Sequence, residues 1–284
     1  MGSHSSSAGK KSLLSRIPVI GKKLGGAPTV AVIQMTGVIS AGGGGPLSRG
    51  GINLAGMAKP IADAFETKNL KAVAIVINSP GGSPAQSSLI AGRLRALSAE
   101  KKVPILAFCE DAAASGGYWL ACAGDEIYVQ PSSIVGSIGV ISAGFGAHVL
   151  LARQGVERRV HTAGSSKTML DPFRPEKPED VARLKTLLEG LHGNFIAHVK
   201  ARRGDKLDTK SADLFNGEVW LGRRATDLGL IDGIGHLRPK LQARFGDKVQ
   251  FRRYEMRRPF WSRFGAQMAQ DTLSGIEERA QFAR

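Results

Sequence analysis

The sequence contains the segment Val73-Ala-Ile-Val-Ile-Asn-Ser-Pro-Gly-Gly82, in which a continuous apolar run leads into a loop with two glycines. A short apolar run without polar alternation is typical of a parallel strand that is buried on both faces. The two glycines allow unusual backbone angles and a close approach of the main chain. The segment therefore predicts a buried parallel strand followed by a loop that is able to aim backbone N–H groups at an oxyanion.

Two similar apolar runs, Val30 to Ile33 and Val103 to Phe108, lie on either side of this strand in the chain. Helical patterns separate the three runs, at Leu54 to Phe65 and at Ser88 to Leu97, and each is long enough for the crossover of a right-handed βαβ unit. The alternation of strand and helix predicts an α/β fold with a stacked parallel sheet and outer helices.

The second half of the chain has the longest helical pattern, in which apolar residues recur at three- and four-residue steps from Val181 to Val199. Pro178 and Glu179 suit the first turn of that helix. A short helix is expected near Arg223, and three further strands are expected at Glu126 to Val129, Val140 to Ser142 and Glu157 to Thr162. We expect a single domain over residues 28–246, with a basic tail at 1–27 and a basic extension at 247–284.

The formal net charge of +15 is concentrated at the two ends of the chain. Residues 1–23 hold five Lys or Arg and no acid, and residues 238–284 hold eleven against five acids. Basic ends of this kind favour solvated tails or contact with an anionic membrane surface over a nucleic-acid groove, so no nucleic acid is expected as a partner.

A membrane-spanning helix needs roughly 18 to 20 apolar residues, and no stretch approaches that length. Residues 1–7 look partly like an added sequence, so the absence of an apolar segment is weak evidence against a membrane anchor in the native protein. We expect the protein in the cytoplasm or on the cytoplasmic side of a membrane. Cys109 and Cys122 both have apolar neighbours, which favours buried free thiols and says nothing about secretion.

A candidate nucleophile follows the third apolar run, in Asp111-Ala-Ala-Ala-Ser-Gly-Gly-Tyr118. Ser115 is expected at or near the start of a helix, where backbone N–H groups and the helix dipole favour developing negative charge. A serine in that place often does no more than cap the helix. The motif alone leaves both interpretations open.

A nucleophilic serine needs a base, and the sequence offers several arrangements to weigh. The nucleophile elbow of α/β-hydrolases needs a glycine where Ala113 stands, and a Ser-x-x-Lys motif would need a serine at Gly164. His148 and His161 are the histidines available for a Ser-His-Asp triad, but neither lies in a recognisable motif. Lys167, in a turn rich in glycine and serine, is either a solvated surface residue or the base.

Five motifs occur in the order in which they occur in one family: Asn78-Ser-Pro-Gly-Gly82, Ala114-Ser-Gly-Gly-Tyr118, Gly136-Ser-Ile-Gly-Val140, Gly164-Ser-Ser-Lys167 with Pro172-Phe173, and Gly217-Glu-Val-Trp220 leading to Leu228-Gly-Leu-Ile-Asp232. They resemble the motif set of the signal peptide peptidase A family, including its SohB-type members, over about residues 28–246. The resemblance implies a Clp-protease/crotonase-like α/β fold. It also implies a Ser–Lys dyad that hydrolyses peptide bonds without a metal or another cofactor.

The resemblance assigns roles to individual residues by their place in the motifs. Ser115 matches the family's nucleophile, Lys167 its general base and Gly82 the glycine of its oxyanion loop. Gly116 directly follows the nucleophile, so its N–H is a further oxyanion donor on geometry alone. Ser137 is expected to hydrogen-bond the lysine amine and to hold it in place.

The expected substrates are signal peptides or other small or unfolded peptides associated with membranes. Each motif occurs once, whereas larger relatives look like tandem duplications in which Ser and Lys come from different halves. We therefore expect a closed homo-oligomeric ring in which Ser115 of one protomer meets Lys167 of its neighbour. The alternatives are a crotonase-like enzyme that acts on acyl-coenzyme A, and a non-catalytic scaffold of the same fold.

Overall fold

The structure is a computed structural model that describes residues 26–42, 51–164 and 166–256. The first part of the chain alternates strand and helix, in the order β1 (Thr29–Thr36), α1 (Leu54–Phe65), β2 (Leu70–Ser79), α2 (Pro84–Lys101), β3 (Ile105–Ala114) and α3 (Gly116–Ala121). The second part has shorter elements around one long helix, in the order β4 (Glu126–Val129), β5 (Ile134–Gly136), α4 (His148–Arg153), α5 (Pro178–Arg203), a 3-10 turn (Gly204–Lys206), β6 (Val219–Leu221), α6 (Gly222–Asp227), β7 (Gly233–Ile234), α7 (Leu237–Phe245) and β8 (Gln250–Tyr254).

The strands form one eight-stranded sheet in the order β6-β5-β3-β2-β1-β8, with β4 beside β3 and β7 beside β4. Every pairing is parallel except that of β5 with β6. Residues Ala72 to Ile77 of β2 are all buried, as the continuous apolar run predicted. The expected α/β class is therefore confirmed.

The sheet has apolar layers on both faces. Helices α1, α2 and α3 pack on one face, against side chains such as Ile33 and Ile75. Helix α7 packs on the other face, where Leu241 contacts the cluster that contains Val30 and Leu106. Burial on both faces explains why these strands lack the polar alternation of a half-exposed sheet.

Strand β3 changes partners along its length, and this change determines where Ser115, the residue after β3, lies in the fold. Leu106 to Phe108 pair with β4, whereas Ala112 to Ala114 pair with β5. The register against β2 shifts at the same point, because Ile77 lies opposite Cys109 and Ser79 opposite Ala113. Strand β3 therefore has two more residues than β2 there, Glu110 and Asp111, and its last residues turn towards β5.

Two predicted strands are wrong. Val140 to Ser142 and Glu157 to Thr162 lie outside any strand. No strand lies beside either segment in the part of the chain that is described, and β-branched residues form a strand only where a partner is present. The helix expected at Ser88 to Leu97 is confirmed within the longer α2, which begins after Ser83 as its N-cap.

Both ends of the expected domain fall near the limits of the described residues. Residues 1–25 and 257–284, which contain most of the basic tails, lie outside them. The expected boundary at residue 246 comes just before β8, which pairs with β1, so the sheet continues to Tyr254. Within the described ranges, no helix is both long and apolar enough to cross a bilayer. Cys109 and Cys122 are buried free thiols, as predicted, and burial raises the pKa of Cys122 to about 12.

Removal of β8 tests whether the folded unit ends at residue 246. A chain that stops after Gly246 loses the pairing of β8 with β1 and the buried side chain of Val249. We expect its melting temperature to fall by about 5 °C or more relative to a chain that stops after Met256. Equal melting temperatures for the two truncated chains would place the boundary at 246 instead.

Candidate active site

Ser115 occupies a strained position between β3 and α3. Its backbone has φ +52° and ψ −122°, a region that non-glycine residues rarely adopt. Its N–H donates to Gly136 O at 2.8 Å, and its carbonyl accepts from Tyr118 N at 2.9 Å and Trp119 N at 3.0 Å. The hydroxyl makes no capping hydrogen bond to α3. The geometry therefore favours the nucleophile interpretation over simple helix capping.

The loop after β2 is fixed by a parallel bridge to Ile39. Ile39 N donates to Gly81 O, and Ser83 N donates to Ile39 O, both at 2.8 Å. The Gly81 carbonyl and the Gly82 N–H belong to one trans peptide group and point in opposite directions, so the bond from Ile39 N leaves the Gly82 N–H directed away from Ile39. Gly82 has φ +139°, and a Cβ atom there would collide with the Ile39 carbonyl oxygen. Only glycine fits this position.

The glycine loop lies directly against the start of α3. A Cβ atom at Gly81 would lie 2.8 Å from the Cβ of Ser115, and one at Gly116 would lie 3.4 Å from Gly82 N. Among the described residues, neither the Gly82 N–H nor the Gly116 N–H donates to a protein acceptor. Two free N–H groups beside a serine form the arrangement that stabilises an oxyanion.

Ser137 lies next to this group through the backbone of the preceding residue. Gly136 accepts the hydrogen bond from Ser115 N, and Ser137 N donates to Glu218 O at 2.7 Å. Ser137 itself has φ +53° and is half-buried. The Trp220 ring packs against Gly136, where a Cβ atom would lie 2.7 Å from the ring. The structure thus brings Ser137 close to Ser115, together with Gly82 and Gly116.

Lys167 lies exposed in a turn, whereas Ser115 and Ser137 are half-buried and Gly116 is buried. Its N–H donates to Gly164 O at 3.2 Å, and no hydrogen bond joins its ammonium group to Ser115 or Ser137 within the described ranges. The apolar residues that follow it in the chain are also partly exposed, since Met169 and Leu170 are half-buried and Phe173 is 39% exposed. In the described part of the single chain, no hydrogen bond therefore joins the predicted base to the predicted nucleophile.

The turn that carries Lys167 is held by Asp171. This carboxylate accepts from Phe173 N at 3.0 Å and pairs with Arg158 Nε at 3.1 Å. The hydrogen bond from Phe173 and the nearby guanidinium hold the pKa of Asp171 below its usual value. The guanidinium of Arg158 also lies 5.1 Å from the centre of the Phe173 ring. Lys167 is therefore exposed on a turn that the contacts of Asp171 and Arg158 hold in place.

Helix α5 holds the candidate nucleophile helix in place through residues that the sequence did not identify. His192 Nε2 lies 3.0 Å from Ile138 O, and His198 Nε2 lies 3.1 Å from Trp119 O. A carbonyl only accepts, so both rings carry a proton on Nε2. The His198 ring also stacks on Trp119 with centroids 4.8 Å apart. The only signal for these contacts in the sequence was the pair His192 and His198, six residues apart on the predicted long helix.

Tyr118 fixes α3 from its other side. Its hydroxyl is fully buried and donates to Leu230 O at 2.6 Å. Arg202 Nε donates to Cys122 O at 2.8 Å, just after the helix ends. The short helix behind Ser115 is therefore tied to α5 and to the loop after α6.

Fold and site together define an α/β protein with a strained serine beside a glycine loop, and comparison with known proteins gives its family. Residues 97–244 match the protein family described as "Peptidase family S49". The chain belongs to this family.

Two curated relatives show how far the similarity extends. The chain is 49% identical over 254 residues to "Na(+)/H(+) antiporter NhaA" of Brucella abortus (strain 2308), which covers 89% of this chain and 34% of that protein. It is 32% identical over 216 residues to "Serine protease SPPA, chloroplastic" of Arabidopsis thaliana, which covers 75% of this chain and 31% of that protein. The chain thus spans about a third of the length of these relatives.

A solved structure supports the fold. A mutant of the 1510-N membrane-bound stomatin-specific protease, in complex with a substrate peptide, is similar with a TM-score of 0.52 and 16% sequence identity. The match covers 86% of this chain and 98% of that chain. The α/β fold of the Clp-protease kind, which the motif resemblance implied, is confirmed.

The half-buried ring of His198 predicts a loss of stability in mild acid. Burial lowers the pKa of His198 below its ordinary value of 6.5, so the unfolded chain binds its proton more readily than the folded chain. Stability is then complete above pH 6.5 and decreases as the pH falls towards the lowered pKa. We expect wild type to lose more melting temperature than His198→Phe between pH 7.5 and 5.5.

His161→Phe is the matched control, because His161 is exposed. Its loss of melting temperature over the same pH range should equal that of wild type. An unchanged pH response in His198→Phe would show that this ring does not contribute.

Proposed function

We propose that the chain is a serine endopeptidase that uses a Ser115–Lys167 dyad to hydrolyse signal peptides or other small, unfolded peptides associated with membranes. The observation that carries the proposal is the strained Ser115 beside the free N–H groups of Gly82 and Gly116. Membership of family S49 and a relative named as a serine protease support it.

The proposed reaction follows from these positions. Ser115 Oγ attacks the peptide carbonyl carbon while its proton passes to Lys167 Nζ, and the carbonyl oxygen becomes an anion that accepts from Gly82 and Gly116. When the C–N bond breaks, Lys167 gives the proton to the leaving amine. A water molecule then donates a proton to Lys167 and attacks the acyl carbon. When the bond between that carbon and Ser115 Oγ breaks, Lys167 gives the proton to Oγ, which releases the second product and restores both residues.

A lysine accepts a proton only as the free amine, which needs surroundings less polar than water. Lys167 is exposed in the single chain, and apolar side chains between Ser137 and Lys167 are exposed as well, among them Ile141 at 84% and Phe145 at 94%. A second copy packed on this segment would cover these side chains and desolvate Lys167. We therefore propose a closed homo-oligomeric ring in which each dyad is shared between neighbours.

Contact with an anionic membrane surface is the proposed role of the basic tails. The two ends carry most of the chain's net positive charge, and clustered basic residues are attracted to acidic lipid headgroups. This contact would bring the peptidase to peptides that are released from membranes.

Substitution of the dyad tests the chemistry. Ser115→Ala and Lys167→Ala should each reduce peptide hydrolysis by at least about a thousandfold, because nucleophile and base act as a unit. Lys167→Arg should be as inactive, since a guanidinium does not release its proton at a workable pH. Activity is measured with an unfolded peptide substrate by mass spectrometry of the products.

Ser88→Ala and Lys185→Ala are the matched controls, because both side chains are exposed on helices. They should retain full activity. Turnover that survives Ser115→Ala would contradict the proposed nucleophile, and turnover that survives Lys167→Ala would contradict the proposed base.

Mixed oligomers test whether the dyad is shared between chains. An equal mixture of Ser115→Ala and Lys167→Ala protomers is denatured and refolded together. If each dyad joins two neighbours, half of the sites have an intact serine and half of those face an intact lysine. Roughly a quarter of wild-type activity should then return. An inactive mixture would show that each dyad lies within one chain.

A further inference from the structure

A cavity separate from the candidate active site, called the second cavity below, lies on the sheet face opposite to α1, α2 and α3. It has a volume of about 560 Å³ and is bordered by the carboxyl ends of β1, β2 and β3, by the start of α7 and by β8. The strand register places Val76 beside Phe108, and Val32 lies on the next strand. These apolar side chains form the floor. Helix α7 covers the same face only nearer the amino ends of the strands, where Leu241 packs.

One end of this cavity is cationic. Arg253 on β8 lies opposite Val32 in the strand register. Arg238, in the first turn of α7, lies with its guanidinium 4.9 Å from the centre of the Phe251 ring. Both arginines line the cavity, and neither forms an ion pair with any residue that the structure describes.

The other end is anionic. Glu110 and Asp111, the two additional residues of β3, line the cavity there. Their partners are neutral amides, because Gln34 donates to Glu110 at 3.3 Å and Asn78 donates to Asp111 at 2.6 Å. Neither carboxylate belongs to an ion pair within the described ranges.

The two charged ends are too far apart to neutralise each other. Strands β8 and β3 are separated by β1 and β2, which at about 4.8 Å per spacing puts their backbones about 14 Å apart. All four charged side chains are exposed at the cavity, and a simple anion or a simple cation would contact only one of its ends. A ligand that carries both charges, with an apolar part between them, matches the whole cavity.

We propose that this cavity binds free peptides of two to four residues. An extended peptide spans about 3.3 Å per residue, so a tripeptide separates its terminal charges by about 10 Å. The C-terminal carboxylate would accept hydrogen bonds from Arg238 and Arg253, and the N-terminal ammonium would donate to Glu110. An apolar side chain of the peptide packs on Val76 and Phe108.

This site is distinct from the proposed catalytic site, since it uses neither Ser115 nor Lys167. Short peptides with free termini are the class of molecule that peptide hydrolysis releases. The cavity would therefore bind products on the side of the sheet away from the nucleophile.

Calorimetry with the tripeptide Ala-Phe-Ala tests the proposal. The full-length Ser115→Ala chain is used, so that hydrolysis does not enter the measurement. The tripeptide should bind, and acetylation of its amine or amidation of its carboxylate should each weaken binding about tenfold or more, because each removes one charged hydrogen-bonding group. Absence of binding, or equal affinity for the doubly blocked peptide, would overturn the proposal.

Substitutions in the cavity locate the binding. Arg253→Gln should weaken binding of the free tripeptide about tenfold, because the carboxylate loses one of its two guanidinium partners. The double variant Arg238→Gln/Arg253→Gln should make amidation of the peptide irrelevant, because both partners are then gone. Glu110→Gln should make acetylation irrelevant in the same way. Arg252→Gln is the matched control. Arg252 is exposed, and because it is next to Arg253 on β8, its side chain points to the opposite face of the sheet from the cavity.

Each variant is first shown to melt within a few degrees of its parent. Affinity that responds to neither Arg253→Gln nor Glu110→Gln would place the peptide elsewhere on the molecule and overturn the proposal. Because every arm is read as binding by an inactive chain, this outcome leaves the proposed peptidase activity to be judged by its own experiments.

Discussion

The parallel bridge between Ile39 and Gly82 is the contact on which the catalytic edge of the sheet depends. It continues the pairing of β1 and β2 past the ends of both strands and fixes the orientation of two peptide groups, so that the Gly82 N–H points towards α3. The close approach leaves no room for a side chain at this position. The proposed oxyanion site is therefore built from backbone alone, and glycine is required at position 82 because of what lies beside it rather than because a turn needs flexibility.

The strain at Ser115 is maintained by the contacts around it. A non-glycine residue at positive φ costs about 1–3 kcal/mol. The hydrogen bonds from Tyr118 to Leu230 and from His198 to Trp119 each contribute about 1 kcal/mol, and the stacked rings add to this. Without these contacts, α3 is a helix of six residues with no side-chain cap, which is too short to hold such a backbone by itself.

Much of this arrangement follows from local sequence. The apolar runs of β1, β2 and β3 predicted the buried sheet, and the Ser115 motif predicted a serine at a helix start. The strands expected at 140–142 and 157–162 were wrong because a strand needs a partner, which local sequence does not show. The contacts of His192 and His198 were missed for the same reason, since a histidine on a helix gains its role only from the carbonyl group opposite it.

One irregularity in the sheet determines which residues lie on each face at its carboxyl edge. Between Cys109 and Ala113, β3 has two residues more than β2, and Asn78 bridges the difference by binding Asp111 and the backbone N–H of Ala112. The additional residues supply the carboxylates of the second cavity on one face. The same shift turns the end of β3 towards β5, so that Ser115 meets the glycine loop on the other face. Any change in the length of this segment would therefore alter both sites at once, because a strand cannot slip by one residue without reversing its side chains.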